Sequence, residues 1–274
     1  VNEDAITTRL RRSAPLIGDD CAIITPHPGE ELLFTTDFTI EGVHFKRSEP
    51  APAVGRRALA RSLSDIAAMG GEPRYCIVGL VLPPWADQRW VNGFYRGLLS
   101  LAKATGTLLA GGDLSHARQL VSDVMVCGAV PTGTALRRDG ARVGDILYVS
   151  GRLGGWRNRR RIEPKLEFGR SLRGLASACM DITDGLALDL HRLATASGVA
   201  ASLEEIPLLR GATIEQALYD GEDYELLYTA PPAVAVPGFR IGVMTDGKPG
   251  ALRYRGRGLR PKGYDHFQSR AGSD

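Results

Sequence analysis

The sequence predicts a mixed α/β (α+β) fold in two domains. Three observations carry that reading. The chain has 274 residues, 43% of them hydrophobic, which suits two ordinary domains with cores of their own. Short apolar, β-branched runs alternate with segments whose apolar residues recur at helical spacing. A turn-rich stretch, Pro131 to Asp145, separates two such sets. The domains are therefore expected at 1–137 and 138–274.

Residues 5–12 read as a short helix ended by Pro15. Glu31 to Thr36 reads as a strand, with Asp37 at its C-terminal end. Pro50 and Pro52 introduce a helix from about Ala53 to Met69, where Val54, Ala58, Leu59, Leu63, Ile66 and Met69 keep a helical period. That helix holds Asp65 on a rigid element, and Gly70-Gly71 stops it. Residues 75–82 form the next strand. In the helix from Trp85 to Thr105, Trp90, Phe94, Leu98 and Leu101 make an apolar stripe that reads as core. A short strand, Thr107 to Ala110, runs into Gly111-Gly112-Asp113, and Val121 to Val130 is another strand.

In the second half, Ile146 to Val149 reads as a strand. The glycine-rich, basic run from Gly151 to Gly169 reads as a loop, either solvated or near phosphate. A helix is expected over Ser171 to Ala178 and another from Asp184 to Ala196, with Leu186, Leu190, Leu193 and Ala194 on one stripe. Asp181, Thr183 and Asp184 then stand before or in its first turn, where backbone N–H groups are available to a phosphate oxygen. Thr213 and Gln216 form a capping box. Strands follow at Tyr224 to Thr229 and Arg240 to Met244, with KGYDHF closing the fold.

Composition removes several function classes. Net charge is +3, from 34 basic and 31 acidic side chains, which gives no case for nucleic acid. No apolar run is long enough to span a membrane, and the residues VNEDAITTRLRR lack the apolar core of a signal peptide. The cysteines at 21, 76, 127 and 179 are far apart and without metal spacing, so they read as buried free thiols in a reducing cytoplasm. There is no P-loop, no kinase HRD and DFG pair, no dinucleotide glycine turn, no nucleophile elbow and no HExxH.

The acids carry the chemistry. They recur in islands: Asp19-Asp20, Asp37 with Glu41 and His44, Asp65, Gly111-Gly112-Asp113, Asp181-Ile182-Thr183-Asp184-Gly185 and Gly221-Glu222-Asp223. Mg²⁺ prefers carboxylate oxygen, water and substrate phosphate. Gathered carboxylates repel one another and their pKa values rise unless a cation neutralises them. The islands thus suggest a shared site for several divalent cations and a polyphosphate. Residue by residue, alternatives stay open: Asp113 after two glycines is equally a turn residue, and His44 is equally a structural histidine.

The matching segments are GDDCA (18–22), TTDFTIEGVHF (35–45), ALARSLSDIAAMGGEP (58–73), GGD (111–113), GARVGD (140–145), MDITDGLALDL (180–190), GEDYELLYT (221–229) and KGYDHF (262–267). In this order they resemble the thiamine-monophosphate kinase family, in the superfamily of aminoimidazole ribonucleotide synthetase. The resemblance implies an N-terminal domain whose sheet forms a barrel across a homodimer, and a C-terminal α/β layer domain. ATP and substrate are expected in a cleft between them, near the partner subunit. It implies transfer of the γ-phosphoryl group of ATP to thiamine monophosphate, with several Mg²⁺ ions. Carried over, Asp20, Asp37, Asp65, Asp113, Asp181 and Asp184 resemble the metal–phosphate clamp, with Thr35 and Thr36 adding oxygen. Gly112, Asp113, Arg138 and Thr183 resemble nucleotide contacts, and His44, Glu222 and Phe267 contacts to the thiamine end.

Departures stand beside these matches. Ser62 replaces an asparagine usual in the family, Leu114 and Ser115 follow GGD in place of two threonines, and Ala104-Thr105 lack the aromatic often found there. Another ATP-dependent enzyme of the superfamily, a weakened nucleotide- or thiamine-phosphate-binding protein, and a metal-dependent phosphatase are the competing readings.

Overall fold

The computed structural model describes residues 27–154 and 161–265. The expected helix at 5–12, Asp20, Cys21 and Phe267 lie outside the described residues. Contacts divide the chain into two units. One holds the chain as far as Ile66 together with Gly71–Ala135; the other holds Ala67–Gly70 and the residues from Leu136 onward.

The first unit is a four-stranded sheet in the order β1 (Glu30–Ile40), β4 (Val121–Pro131), β2 (Glu72–Leu82), β3 (Leu108–His116). β4 pairs antiparallel with both β1 and β2, while β2 and β3 run parallel. The parallel pair needs a crossover, which α2 (Gln88–Thr105) supplies; α1 (Ala51–Ala68) joins β1 to β2. The apolar stripe of α1, including Val54, Leu59, Leu63 and Ile66, is buried, as are Val78 and Leu80 of β2 and Val124 and Val126 of β4. The other face of the sheet leaves Phe34, Phe38, Ile77 and Leu108 exposed.

Two glycines set the distance between α1 and α2. A Cβ at Gly55 would stand 2.0 Å from the Phe94 carbonyl oxygen, and one at Gly97 would stand 1.9 Å from that of Pro52. The backbones touch there, which only glycine permits. At the start of α2, the Asp87 side chain accepts the Trp90 N–H, and Gly106 ends the helix at φ 72°.

Among the described residues the expected barrel is not formed. β1 and β3 are the edges of an open sheet, and neither sheet closes on itself; four twisted strands are too few to close. Two strand ends also differ from expectation. β1 runs on to Ile40, so Asp37 lies within it, and β3 runs to His116, which puts Gly111-Gly112-Asp113 inside a strand rather than in a turn.

The second unit is a seven-stranded sheet in the order β11 (Arg257–Leu259), β10 (Leu252–Tyr254), β7 (Ala200–Leu203), β9 (Phe239–Thr245), β5 (Ile146–Val149), β8 (Leu226–Ala230), β6 (Ala178–Asp181). Only β7 and β10 are parallel. Its helices are α3 (Leu166–Ser171), α4 (Leu186–Ala196) and α5 (Ile214–Tyr219). Leu186, Leu190 and Leu193 of α4 pack with Leu147, Leu227 and Ile241 in one core cluster. The Thr213–Gln216 capping box is formed in both directions. The helix expected at Ser171 to Ala178 is replaced by α3, a turn and β6. All four residues of β6, Ala178–Asp181, are buried.

Candidate active site

The sequence alternation of β1 distributes its polar side chains over two faces. Thr35, Asp37 and Thr39 point to the helix-covered face. There Thr35 donates its hydroxyl to Asp65 Oδ2 at 2.5 Å, and Arg61 Nη2 donates to Asp37 Oδ1 at 2.8 Å. Ser62, where the family usually has asparagine, donates to the Val124 carbonyl at 2.6 Å. One turn of α1 thus anchors the inner face of β1 and β4.

Thr36 points the other way, where its hydroxyl donates to Asp123 Oδ1. The ladders align Phe38, Asp123, Gly79 and Asp113 in one row across the four strands, so Asp113 and Thr36 share the outer face. The first sheet therefore brings Thr35, Asp37 and Asp65 together and sets Thr36 and Asp113 apart from them. Gly112 has a packing role: a Cβ there would stand 2.3 Å from the Val78 carbonyl oxygen of the neighbouring strand. His44, buried in the turn after β1, accepts the Ile40 N–H on Nδ1 at 3.0 Å. A neutral ring then carries its proton on Nε2.

In the second unit, Asp181 ends β6 and is buried, and the turn Ile182–Gly185 leads into α4. This turn is tied on every side. Glu222 N–H donates to the Thr183 carbonyl at 2.7 Å, Tyr224 N–H to that of Ile182 at 2.8 Å, and Tyr264 N–H to that of Asp184 at 2.8 Å. Asp189 Oδ2 accepts the N–H groups of Thr183 and Asp184, both at 2.9 Å. Arg192 Nη1 bridges Asp184 Oδ2 at 2.6 Å and Asp189 Oδ1 at 2.7 Å. The N–H groups of Thr183 and Asp184 are thus held by Asp189 itself.

Asp189 has no exposed surface. Desolvation pushes its carboxyl up to about 6, opposed by the Asp184 N–H and then raised further by the Asp184 charge; Arg192 and the Thr183 N–H also oppose the rise. The Arg192 guanidinium and the two N–H groups favour its charged form. Desolvation works against the Arg192 cation too, yet the two carboxylates raise it above its ordinary value.

The segment facing this turn is strained. Glu222 and Tyr224 adopt φ of 65° and 51°, a region costly for residues with a Cβ. Gly221 before them fits because a Cβ would meet the Thr183 carbonyl oxygen at 2.4 Å. Buried Asp223 accepts the Gly154 N–H at 3.2 Å, and buried Glu225 accepts the Ser150 hydroxyl at 2.5 Å and faces Lys165 Nζ at 3.2 Å. The Arg138 carbonyl accepts the Ser197 hydroxyl at 2.9 Å, just past the C-terminal end of α4.

Asp123, Arg61, Asp189 and Arg192 were not among the residues expected from the sequence. Asp123 was signalled by a lone acid in an apolar strand, and Asp189 by an acid inside the apolar stripe of α4. Among the described residues no three acids or histidines converge as a preformed metal cage. Mg²⁺ rarely uses one: it takes one or two carboxylates and completes its shell with water and phosphate. The hard oxygens of Thr35 with Asp65, and of Asp181 with Asp184, fit that chemistry.

Comparison with known proteins places this geometry. The AIR synthase related protein, N-terminal domain, matches residues 18–130. Thiamine-monophosphate kinase of Aquifex aeolicus (strain VF5) is 32% identical over 289 residues, covering 92% of this chain and 93% of its own length. The crystal structure of thiamine-monophosphate kinase from Stenotrophomonas maltophilia K279a superposes with a TM-score of 0.84 at 31% identity, covering 94% of this chain and 98% of that one. AaThiL complexed with AMPPCP and TMP superposes with a TM-score of 0.83 at 30% identity, covering 97% of both chains. With a shared architecture and near-complete coverage at this identity, the chain belongs to the thiamine-monophosphate kinase family.

Proposed function

We propose that this protein transfers the γ-phosphoryl group of ATP to the phosphate of thiamine monophosphate, giving thiamine diphosphate and ADP. The similarity over nearly the whole chain to AaThiL, described with AMPPCP and TMP, carries this reading. The bond from the γ-phosphorus to the bridging oxygen breaks, and one to a phosphate oxygen of the acceptor forms. That oxygen is already anionic near neutral pH, since a phosphate monoester's second pKa is about 6. No general base is needed. The barrier is the approach of two anions in line, which orientation and charge compensation lower.

The proposed clamp is Asp37, Asp65, Asp181 and Asp184 with Thr35, all held by regular elements or by the tied turn. Asp113 and Thr36 are proposed to act from the outer face, where Asp123 joins them, and Asp20 completes the set. Mg²⁺ held by these oxygens would screen the phosphates from one another. Gly112, Arg138 and Thr183 are proposed toward the nucleotide, Thr183 through its hydroxyl. His44, Glu222 and Phe267 are proposed toward the thiamine end. Residues 1–137 and 138–274 are proposed as the two functional domains.

A homodimer is proposed as well. Phe34 and Phe38 are 65% and 51% exposed on the outer face of the first sheet, an apolar surface of the kind that marks an interface. No described helix is long and apolar enough to cross a membrane. Cys76, Cys127 and Cys179 are unpaired and buried, which supports a cytoplasmic site of action.

Product analysis tests the function. Purified protein with MgATP and thiamine monophosphate is expected to yield thiamine diphosphate and ADP in equal amounts, and neither without ATP. ADP without thiamine diphosphate, or phosphate release without ATP, overturns the reading.

A further inference from the structure

Asp189 spends a buried charge in an unusual place. It is the fourth residue of α4, yet it reaches back past Gly185 to N–H groups that lie outside the helix. It therefore satisfies none of the helix's own orphan donors. A neutral acceptor would serve two backbone N–H groups at lower cost, because burying a carboxylate is expensive unless it is paired. What a carboxylate adds is a stronger hold on Arg192, because a hydrogen bond between two charged groups is stronger than one to a neutral acceptor. The guanidinium is the link: one nitrogen touches Asp189 Oδ1 and Asp184 Oδ2 together. Each Asp189 oxygen has a separate task, one fixing the turn's backbone and the other, through Arg192, fixing the Asp184 side chain.

We propose that Asp189 is a positioning residue for the phosphotransfer site, setting through its own contacts and through Arg192 where Thr183 and Asp184 stand. With Arg192 on Oδ2, Asp184 presents Oδ1 in a defined direction. Carboxylate ligands elsewhere are oriented by hydrogen-bonded partners in this way, and loss of such a partner weakens metal binding about 10- to 100-fold. The inference rests on the reading of Asp184 as a cation ligand.

Mn²⁺ serves as the probe, its free concentration followed by electron paramagnetic resonance with a non-hydrolysable ATP analogue present. Wild type is compared with Asp184→Asn, Asp189→Asn and Arg192→Gln, and each is checked by circular dichroism and thermal melting. Asp189→Asn is expected to raise half-saturating Mn²⁺ about 10- to 100-fold. In turnover it is expected to raise the KM for the metal–nucleotide and leave that for thiamine monophosphate unchanged, a split that a general loss of fold would not give. If Asp184→Asn binds Mn²⁺ like wild type, the cation reading of the turn falls and the proposal with it. If Asp184→Asn weakens binding and Asp189→Asn does not, the positioning proposal alone falls. Should Asp189→Asn not fold, Arg192→Gln decides: half-saturating Mn²⁺ must rise, and an unchanged or lower value overturns the proposal.

Discussion

The Thr35 hydroxyl on β1 meets the Asp65 carboxylate on α1 at 2.5 Å. Strand and helix thus put two hard oxygens side by side on the inner face of the first sheet. Asp65→Asn keeps an acceptor for that hydroxyl and removes the charge. Turnover is expected to fall about 10²-fold or more, the scale of losing one transition-state electrostatic contact, while the melting temperature stays close to wild type. Unchanged kcat in a steady-state assay would remove Asp65 from the proposed clamp.

Glu222 sits at φ 65° against the turn that carries Asp184. Glycine is at ease there, so Glu222→Gly is expected to raise stability by about 1 kcal/mol. The same change removes the proposed substrate carboxylate and is expected to raise the KM for thiamine monophosphate about tenfold or more. Denaturant melts and steady-state kinetics together check that the two effects run in opposite directions.

Gly97→Ala sets two effects against each other. Helix propensity alone favours alanine by about 1 kcal/mol. The new Cβ, however, would lie 1.9 Å from the Pro52 carbonyl oxygen, and backbone cannot yield as a flexible side chain does. Overpacking is expected to win, with a net loss of about 1–3 kcal/mol in urea denaturation. A gain in stability would show that the α1–α2 contact is looser than described.

Burial pushes the Cys76 thiol up to about 12 and raises that of Cys179, where the Asp181 charge adds to the effect. Neither position is expected to react with a thiol reagent at pH 8 before denaturant is added, as mapped by mass spectrometry. The unfolded thiol ionises near pH 8.5 (roughly the reference value), whereas the folded one keeps its proton. This stabilisation is therefore complete below that pH and is lost progressively as pH rises toward 12. An alkaline melt that stayed flat over this range would contradict the assigned burial.

The legible parts of the fold were the long periodic ones. The stripes of α1 and α2 and the apolar runs of β2 and β4 could be read from spacing, and Asp65 was correctly set on a helix. Among the four-residue strands, Ile146–Val149 is legible from its apolar, β-branched and aromatic residues, whereas Ala178–Asp181 and Ala200–Leu203 are not: alanine, serine and aspartate blunt the strand signal there. In the site, the resemblance pairs Thr35 with Thr36, whereas the alternation of β1 turns them to opposite faces, Thr35 to Asp65 and Thr36 to Asp123. The role of Asp189 was illegible for a different reason: it depends on a carboxylate folding back on a turn five and six residues earlier, which no helical or strand period encodes.

The β1–β4 ladder runs unbroken from Glu30↔Pro131 to Ile40↔Val121. Along it, Thr35 and Asp37 alternate with Phe34, Thr36 and Phe38. A one-residue slip would exchange the two sets, turning the aromatic rings toward α1 and the acid and hydroxyl away from it. Inside β1, then, a single-codon insertion or deletion would be more damaging than almost any substitution, because it would invert the whole strand at once. A loop absorbs such a change; this strand cannot.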